Sequence, residues 1–532
     1  MLSLPTELSL SILSYLPFET LGDLSVLCHP WRRFMKTHEN TIYHQAALSH
    51  GYVSLIGPTI EEAARRYSQR SIGSVNSWKD LCLKRRRIER NWSGIGPSKI
   101  TVHQGTGKNV HRIKVDEKAE YILTTSITGG LLVTDLQDDR VLWSLPDSHV
   151  RPYAHCEYGE GFVIFDYIDG SKEVWRHVPD WNDEEAAAVV SEATPTPRQL
   201  RVSRTAAERH GTESIESARG HFRPWAILRS PLTTRAFRFS YPTLGAAGWD
   251  CIFLWDVRTG TLIQTIEQIQ SGEHNNGGGA QDQVAAAMTA LDLLGDINYI
   301  EVSEKYVILC GSHFLRLFSR ATGRPTREAW NGASLVSQEV VCRRVPMPES
   351  PEVVIDEFIA VHISSCGSHL AGLMLSSRLI IIHDFERALQ PDVKVVDLSI
   401  EIQLGSPCLS SRYLAFENGR ISVVTKTGVY IIQPDWLSLS AEGDSPPKVS
   451  IYRVPVLGDT SCLGAVSCLQ VTDTGLFLNW DTDFLPTEDN DGALELMNNA
   501  FYNTLSDQRR SASVGNGFPV TLVDIDGKSS ML

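Results

Sequence analysis

The sequence predicts a multidomain chain in which a small all-α region precedes a long all-β one. Three observations carry that division. Within the first 50 residues, apolar side chains recur at helical spacing. Two further helical patterns follow up to about residue 100, the second of them strongly basic. From there to about residue 485, short runs of Val, Ile, Leu, Phe and Trp alternate with Gly, Asp and Asn turns.

The composition is that of an ordinary folded protein. Of 532 residues, 42% are hydrophobic and 21% charged, which argues against wholesale disorder. The net charge of −14 disfavours a main role in coating nucleic acid, which calls for a basic surface. The ten cysteines form no C-x-x-C pair and no tight His/Cys cluster, so reduced, buried thiols are expected, and no metal site. The apolar N-terminus holds Pro5, Glu7 and Pro17 and lacks a basic stretch, unlike a signal peptide. The most apolar runs, Tyr306 to Cys310 and Leu379 to His383, are too short to span a bilayer. A soluble protein of the cytoplasm or nucleus, with no membrane partner, is expected.

The helical region reads as three short amphipathic helices. Leu8, Ile12, Leu13 and Leu16 share one face after Pro5, which suits a first-turn position. Leu21, Leu24, Leu27 and Cys28 repeat the spacing after the break at Pro17, and His29-Pro30-Trp31 restarts a third helix. Three such helices cannot bury much alone, so the unit is expected to dock on a partner or on the rest of the chain. Glu61 to Gln69 and Trp78 to Trp92 read as helices of a linker. The second carries Lys79, Lys84, Arg85, Arg86, Arg87 and Arg90 against Asp80 and Glu89, a pattern that first suggests a solvated face.

The β region repeats itself loosely. Gly130 to Leu136, Asp250 to Gly260, Phe314 to Phe318 and Arg378 to Phe385 share one shape, and weaker copies end at Trp175, Tyr430 and Trp480. A strand, a tight Asp/Gly turn and another strand, repeated, is the sign of a β-propeller. Two stretches, near 180–220 and 269–291, interrupt the rhythm and are expected to be mobile insertions, the second holding Gly277-Gly278-Gly279. With them removed, roughly 42 residues per blade give between about seven and eight blades, and the seven cues favour seven. The expected domains are therefore 1–48 all-α, 49–100 helical linker, 101–485 propeller, and 486–532 a partly disordered tail.

Catalytic motifs are missing. There is no H-E-x-x-H, G-x-S-x-G or P-loop; Gly105-Thr106-Gly107-Lys108 lacks the P-loop's first glycine and its Ser/Thr after lysine, and reads as a plain turn. No catalytic residue and no cofactor is expected. Thr194-Pro195 and Thr196-Pro197 are minimal proline-directed phosphorylation sites within the first insertion.

The N-terminal pattern is more specific than three helices. Leu4-Pro5-x-Glu7-Leu8, then Ile12-Leu13-x-x-Leu16-Pro17, then Leu21-x-x-Leu24-x-x-Leu27-Cys28-x-x-Trp31, resembles the F-box motif, departing from it at His29 and Pro30. Trp78-Lys79-Asp80-Leu81-Cys82, a basic stretch and Asn91-Trp92 with Gly94 after them are similar to the linker of F-box/WD-repeat proteins. Leu254-Trp255-Asp256 with its Arg-Thr-Gly turn looks like one well-kept WD repeat among degenerate ones. The resemblance implies a substrate-recognition subunit of a Skp–cullin–F-box ubiquitin ligase, the F-box docking on the Skp adaptor beside the cullin scaffold. A protein-interaction scaffold outside any ligase is the alternative. It assigns adaptor contact to Leu4, Pro5, Leu8, Ile12, Leu13, Leu16, Leu21, Leu24 and Trp31. Packing within their own unit is the competing role, most of all for Leu24 and Leu27; Leu4, Pro5 and Leu8 are the better surface candidates. The propeller is expected to receive a protein substrate, phosphorylated in some relatives. Arg223, Arg235, Arg238, Arg316, Arg378 and Arg412 are the candidates to meet it, while Trp225, Trp249 and Trp255 are read as blade core.

Overall fold

A computed structural model describes residues 4–53, 59–107, 109–211, 218–270, 293–326, 330–331, 340–343, 356–405, 411–436, 439, 448–485 and 520–524. Two compact units divide the chain: residues 1–100 with Asp473–Gly475 and Val523–Leu532 in one, and residues 101–472 and 476–522 in the other.

The first unit is helical. Its elements are α1 (Thr6–Leu13), α2 (Phe18–Leu27), α3 (His29–Thr37), α4 (Glu39–Ser49), α5 (Ile60–Ala64), α6 (Gln69–Ile72) and α7 (Trp78–Trp92). Proline sets the breaks. Pro5 and Pro17 stand at the N-caps of α1 and α2, and Pro30 lies in the first turn of α3, where its missing N–H costs nothing. Residues 49–100 are more than a linker. Tyr52, Val53, Ala63, Ile72, Leu81 and Cys82 join Leu13, Phe18, Leu21, Trp31, Met35 and Ile42 in one core. Three short helices bury too little by themselves, and α4 to α7 supply the missing apolar partners. The basic face of α7 is also less solvated than expected. Arg85 is buried, its guanidinium 4.2 Å from the Tyr67 ring centroid and paired with Asp473.

The second unit is built of antiparallel sheets. β1 (Lys99–His103) precedes a first sheet of β2 (Val110–Asp116), β3 (Tyr121–Ser126), β4 (Leu131–Asp135) and β5 (Val141–Leu145). Next come β6 (Cys156–Gly159), β7 (Phe162–Asp166), β8 (Lys172–His177) and β9 (Phe222–Leu228), then β10 (Ala236–Ser240), β11 (Thr243–Ala247), β12 (Cys251–Asp256) and β13 (Thr261–Glu267). They are followed by β14 (Ile297–Val302), β15 (Tyr306–Gly311), β16 (Phe314–Ser319) and β17 (Trp330–Asn331). A five-stranded sheet holds β18 (Val340–Arg343), β19 (Phe358–Ile363), β20 (Leu370–Met374), β21 (Arg378–Ile382) and β22 (Ser399–Gln403). After it come β23 (Ser411–Glu417), β24 (Arg420–Thr425), β25 (Gly428–Pro434) and β26 (Val449–Arg453). The last sheet runs β1-β29-β28-β27, joining β27 (Leu469–Val471), β28 (Gly475–Asn479) and β29 (Val520–Asp524) to β1.

The sheets form a β-propeller. Each meandering sheet packs its first strand beside the next sheet's: β2, β6, β10, β14, β19, β23 and β27 follow one another, and β27 returns to β2. Six sheets, rather than the seven expected, have the plain four-strand form of a blade. The remaining one is five-stranded because β18 pairs parallel with its outer strand β22. Each of the seven sequence cues falls on a strand of a different sheet: β4, β8, β12, β16, β21, β25 and β28. Apolar residues between sheets make the core, as where Phe162, Trp225, Phe239 and Trp255 meet. Trp225 and Trp255 are blade core as expected, but Trp249 is 59% exposed, at the turn before β12. In the Arg258-Thr259-Gly260 turn, Gly260 has φ +72°, and a Cβ there would lie 2.5 Å from Ala193 Cβ.

The stretch 180–220 is not a mobile loop where it is described. It contains α8 (Asp183–Ala187) and α9 (Pro197–His210), the latter packed on β5 and β9. A capping box starts α9, with Thr196 Oγ1 accepting from Gln199 N and Thr196 N donating to Gln199 Oε1, and Ala206 enters the core. Few apolar residues are needed because one face of one helix does the packing. The second insertion lies outside the described residues from 271 to 292, and so does the tail apart from β29. One more helix, α10 (Thr460–Ala465), precedes β27. Among the described residues no helix is long and apolar enough to cross a membrane.

Candidate functional site

Two surfaces stand out, one on each unit. On the helical unit, the motif residues fall into three groups. Leu13, Leu21 and Trp31 are buried in the core. Ile12, Leu16 and Leu24 are half-buried, the latter two packed against that core. Leu4 and Leu8 are 40% and 54% exposed, and Pro5 between them is also exposed. Direct contact with a partner is therefore open to Leu4, Pro5 and Leu8. Leu13, Leu21 and Trp31 fix the helices from inside. The reading of Leu27 as core is wrong: it is 67% exposed, beside Val26 at 80%. Sequence reasoning missed Val26 and Tyr15, both exposed. The signal for Leu27 was present, since α2 ends at Leu27 and the break at Cys28 turns its last residues away from the core.

On the propeller, a cavity of about 380 Å³ opens on the first strands of five sheets and on the segment leading into β6. Arg112, Arg151, Arg235 and Arg412 line it, with His111, Tyr153, His155, Tyr299 and Tyr413. Arg112 donates from Nε to His155 Nδ1 at 3.2 Å and from Nη1 to Ser467 O at 2.6 Å, which holds it in place. Arg151 pairs with Asp166 at 2.8 Å and Arg235 with Asp296 at 2.8 Å. Arg412 carries no ion pair among the described residues. Burial, with Arg112 and His155 adding to it, pushes His111 down to about 3, so the imidazole is neutral at pH 7. Four guanidiniums around one concavity suit a carboxylate- or phosphate-bearing ligand.

Behind this cup, a chain of charges runs along the first strands. Lys114 lies 2.9 Å from Glu157; Arg238 bridges Glu157 at 3.3 Å and Glu301 at 3.2 Å; His362 meets Glu301 at 2.9 Å. Burial opposes ionisation of Glu157 and Glu301, and Lys114, Arg238 and the histidines overcome it, so both carboxyls stay below their usual value. Among the described residues Glu417 has no such partner close by. Burial first, then Glu157 and Glu301, raise it to about 7 against the pull of Lys114 and Arg238.

Of the six arginines expected to meet a substrate, the structure brings together Arg235 and Arg412. Arg238 is locked in the charge chain. Arg316 is buried and donates to Ile269 O at 2.8 Å. Arg378 is held by Glu401 through two nitrogens and by Asp356. Arg223 lies apart on β9, 4.1 Å over Trp181. Arg112 and Arg151 were missed. Arg112 stands near the start of β2, as Arg235 and Arg412 stand at the starts of β10 and β23, and Arg151 lies in the segment that leads into β6. Among the described residues no group of three His, Cys, Asp or Glu side chains is placed to hold a metal.

The family model described as F-box-like matches residues 1–45. No curated protein matches the chain. Similar solved structures include the WD40 repeats of RRP9, at 8% identity and a TM-score of 0.44, covering 80% of this chain and 97% of that one. The Cps50 (Swd1) β-propeller domain of Myceliophteria thermophila is similar at 8% identity and a TM-score of 0.42, covering 73% and 98%. U3-55K is similar at 8% identity and a TM-score of 0.44, covering 81% and 100%. Such low identities transfer no role. An F-box-like domain followed by a β-propeller matches the architecture of an F-box/WD-repeat protein.

Proposed function

We propose that this chain, an F-box-like domain joined to a β-propeller, is a substrate-recognition subunit of a Skp–cullin–F-box ubiquitin ligase. The observation that carries the reading is the apolar surface around α1 and α2, where Leu4, Leu8, Val26 and Leu27 stand in solvent within an F-box-like sequence. Covering such exposed side chains yields roughly 25 cal/mol per Å² of apolar area, which favours a partner groove. The Skp adaptor is that partner in this reading, and the cullin follows through it.

The propeller then offers the Arg112, Arg151, Arg235 and Arg412 cup to a protein substrate bearing an acidic or phosphorylated segment. The chain performs no bond chemistry; it holds the substrate near the ligase's ubiquitin-charged enzyme, in the cytoplasm or nucleus. We also read the five-stranded sheet as a blade of the same ring, which restores a count of seven.

Co-purification of Skp adaptor and cullin tests this, comparing the wild type with a Leu4→Ala, Pro5→Ala, Leu8→Ala variant. Both partners are expected with the wild type and neither with the variant, at unchanged propeller stability. No adaptor with the wild type would sink the reading. Adaptor without cullin would favour a protein-interaction scaffold.

A further inference from the structure

Among the described residues, a serine or threonine precedes proline at Thr194, Thr196 and Ser230. Their surroundings differ. Thr196 is half-buried and spent on the capping box of α9: its Oγ1 accepts from Gln199 N at 3.2 Å and donates to Gln199 Oε1 at 3.1 Å, and Gln199 is fully buried. Ser230 is half-buried and donates to Leu232 O at 2.5 Å. Thr194 alone of the three is exposed, and its Oγ1 makes one bond, to Ser191 O at 2.8 Å. Its backbone is extended, at φ −59° and ψ 146°, and so is that of Thr196 beyond Pro195. An exposed, extended Thr-Pro segment is the form in which a kinase cleft can receive a peptide without unfolding its surroundings.

What lies beside Thr194 is as informative. A cavity of about 580 Å³ is lined by Thr194, Pro195, Leu200, Arg204 and Arg223, with Trp181 and Trp225 among its walls. Arg204 is exposed on α9 and Arg223 exposed on β9, the latter stacked at 4.1 Å over Trp181. The N-terminus of the 14-residue α9 adds its own preference for negative charge two residues on. Two guanidiniums and a helix start beside one reachable hydroxyl are the elements of a phosphate receiver.

We propose that Thr194 is a phosphorylation site for a proline-directed protein kinase, and that Arg204 and Arg223 receive the phosphate. The threonine oxygen attacks the γ-phosphorus of ATP, the bond to ADP breaks, and the hydroxyl proton passes to the kinase's base. The phosphate then pairs with Arg204 within the α8–α9 segment and ties that segment to β9 through Arg223. This role is independent of the adaptor surface and of the arginine cup.

The full-length chain is treated with a proline-directed kinase and ATP, and sites are mapped by mass spectrometry. Phosphate is expected on Thr194 in the wild type and in Thr196→Asn, which keeps a capping side chain but offers no hydroxyl. Modification of Thr196 with Thr194 left bare, or no phosphate on Thr194 in either protein, overturns the proposal. Amide hydrogen exchange over residues 191–204 is then compared before and after modification. Phosphorylation is expected to slow it by about tenfold in the wild type and to leave it unchanged in Arg204→Ala, Arg223→Ala. Equal slowing in both proteins overturns the assignment of the two arginines.

Discussion

Glu417 shows how far its neighbours govern one carboxyl. It ends β23 under the influence of Glu157 and Glu301 on one side of the balance and Lys114 and Arg238 on the other, and burial decides the outcome at about 7. The folded state thus holds a proton more tightly than the unfolded chain, whose glutamates titrate near about 4.3. The stability this contributes is complete below that value and is lost as pH rises through about 7. Glu417→Gln is expected to be more stable than the wild type above neutrality by about 1–3 kcal/mol and to show a flatter pH dependence. Urea unfolding at about pH 5 and about pH 8 checks it; an unchanged pH slope would acquit Glu417. Roles at this scale were the least legible in the sequence. Arg238 and Glu157 stand 81 residues apart, and nothing local to either announces the pair. Arg378 and Arg316 looked as available as Arg412 because pairing is a property of the folded ring. Phase alone does not separate the arginines that share the cup from those that do not, since Arg112 and Arg238 both stand third in a first strand.

At the scale of elements, α1 combines two duties on two faces. Leu13 is buried with Leu21 and Trp31, while Leu8, one turn and a half earlier, faces solvent. Leu13→Ala is expected to cost about 2–5 kcal/mol of the helical unit's stability. Leu8→Ala is expected to stay within about 0.5 kcal/mol while weakening adaptor capture. Thermal melts of the two variants, each with an adaptor pull-down, check the division; a Leu8→Ala protein that melts as early as Leu13→Ala would make the face structural. The helices themselves were legible because proline marks each boundary and leucine recurs at their period. The helix α9 was not, because Val202 and Ala206 carry its packing and most of its other residues are polar. The extra strand β18 was equally hidden: it adds to an outer edge, where no apolar alternation is required.

Across the whole molecule, the repeat was the most legible feature, since every cue marks a strand buried between neighbouring sheets. What the cues did not reveal is how the ring is fastened. β1, at the start of the propeller, and β29, near the end of the chain, lie side by side in one sheet, with β29 between β1 and β28. A chain ending at residue 519 loses β29, which leaves β1 without a partner and bares the edge of β28 that β29 covered. It is expected to lose the cooperative unfolding transition of the propeller, and chemical denaturation followed by near-ultraviolet circular dichroism checks this; a truncated chain with the full-length transition would mean that the ring closes by other contacts. The same arrangement sets a clock on biosynthesis. About 400 residues are translated between β1 and β29, which at about 5–20 residues per second keeps the ring open for tens of seconds on the ribosome. Through that interval the nascent protein carries a bare β-edge, the kind of surface that recruits chaperones or templates aggregation. Any message cut short, or any ribosome that stops early, releases a chain that advertises its own incompleteness.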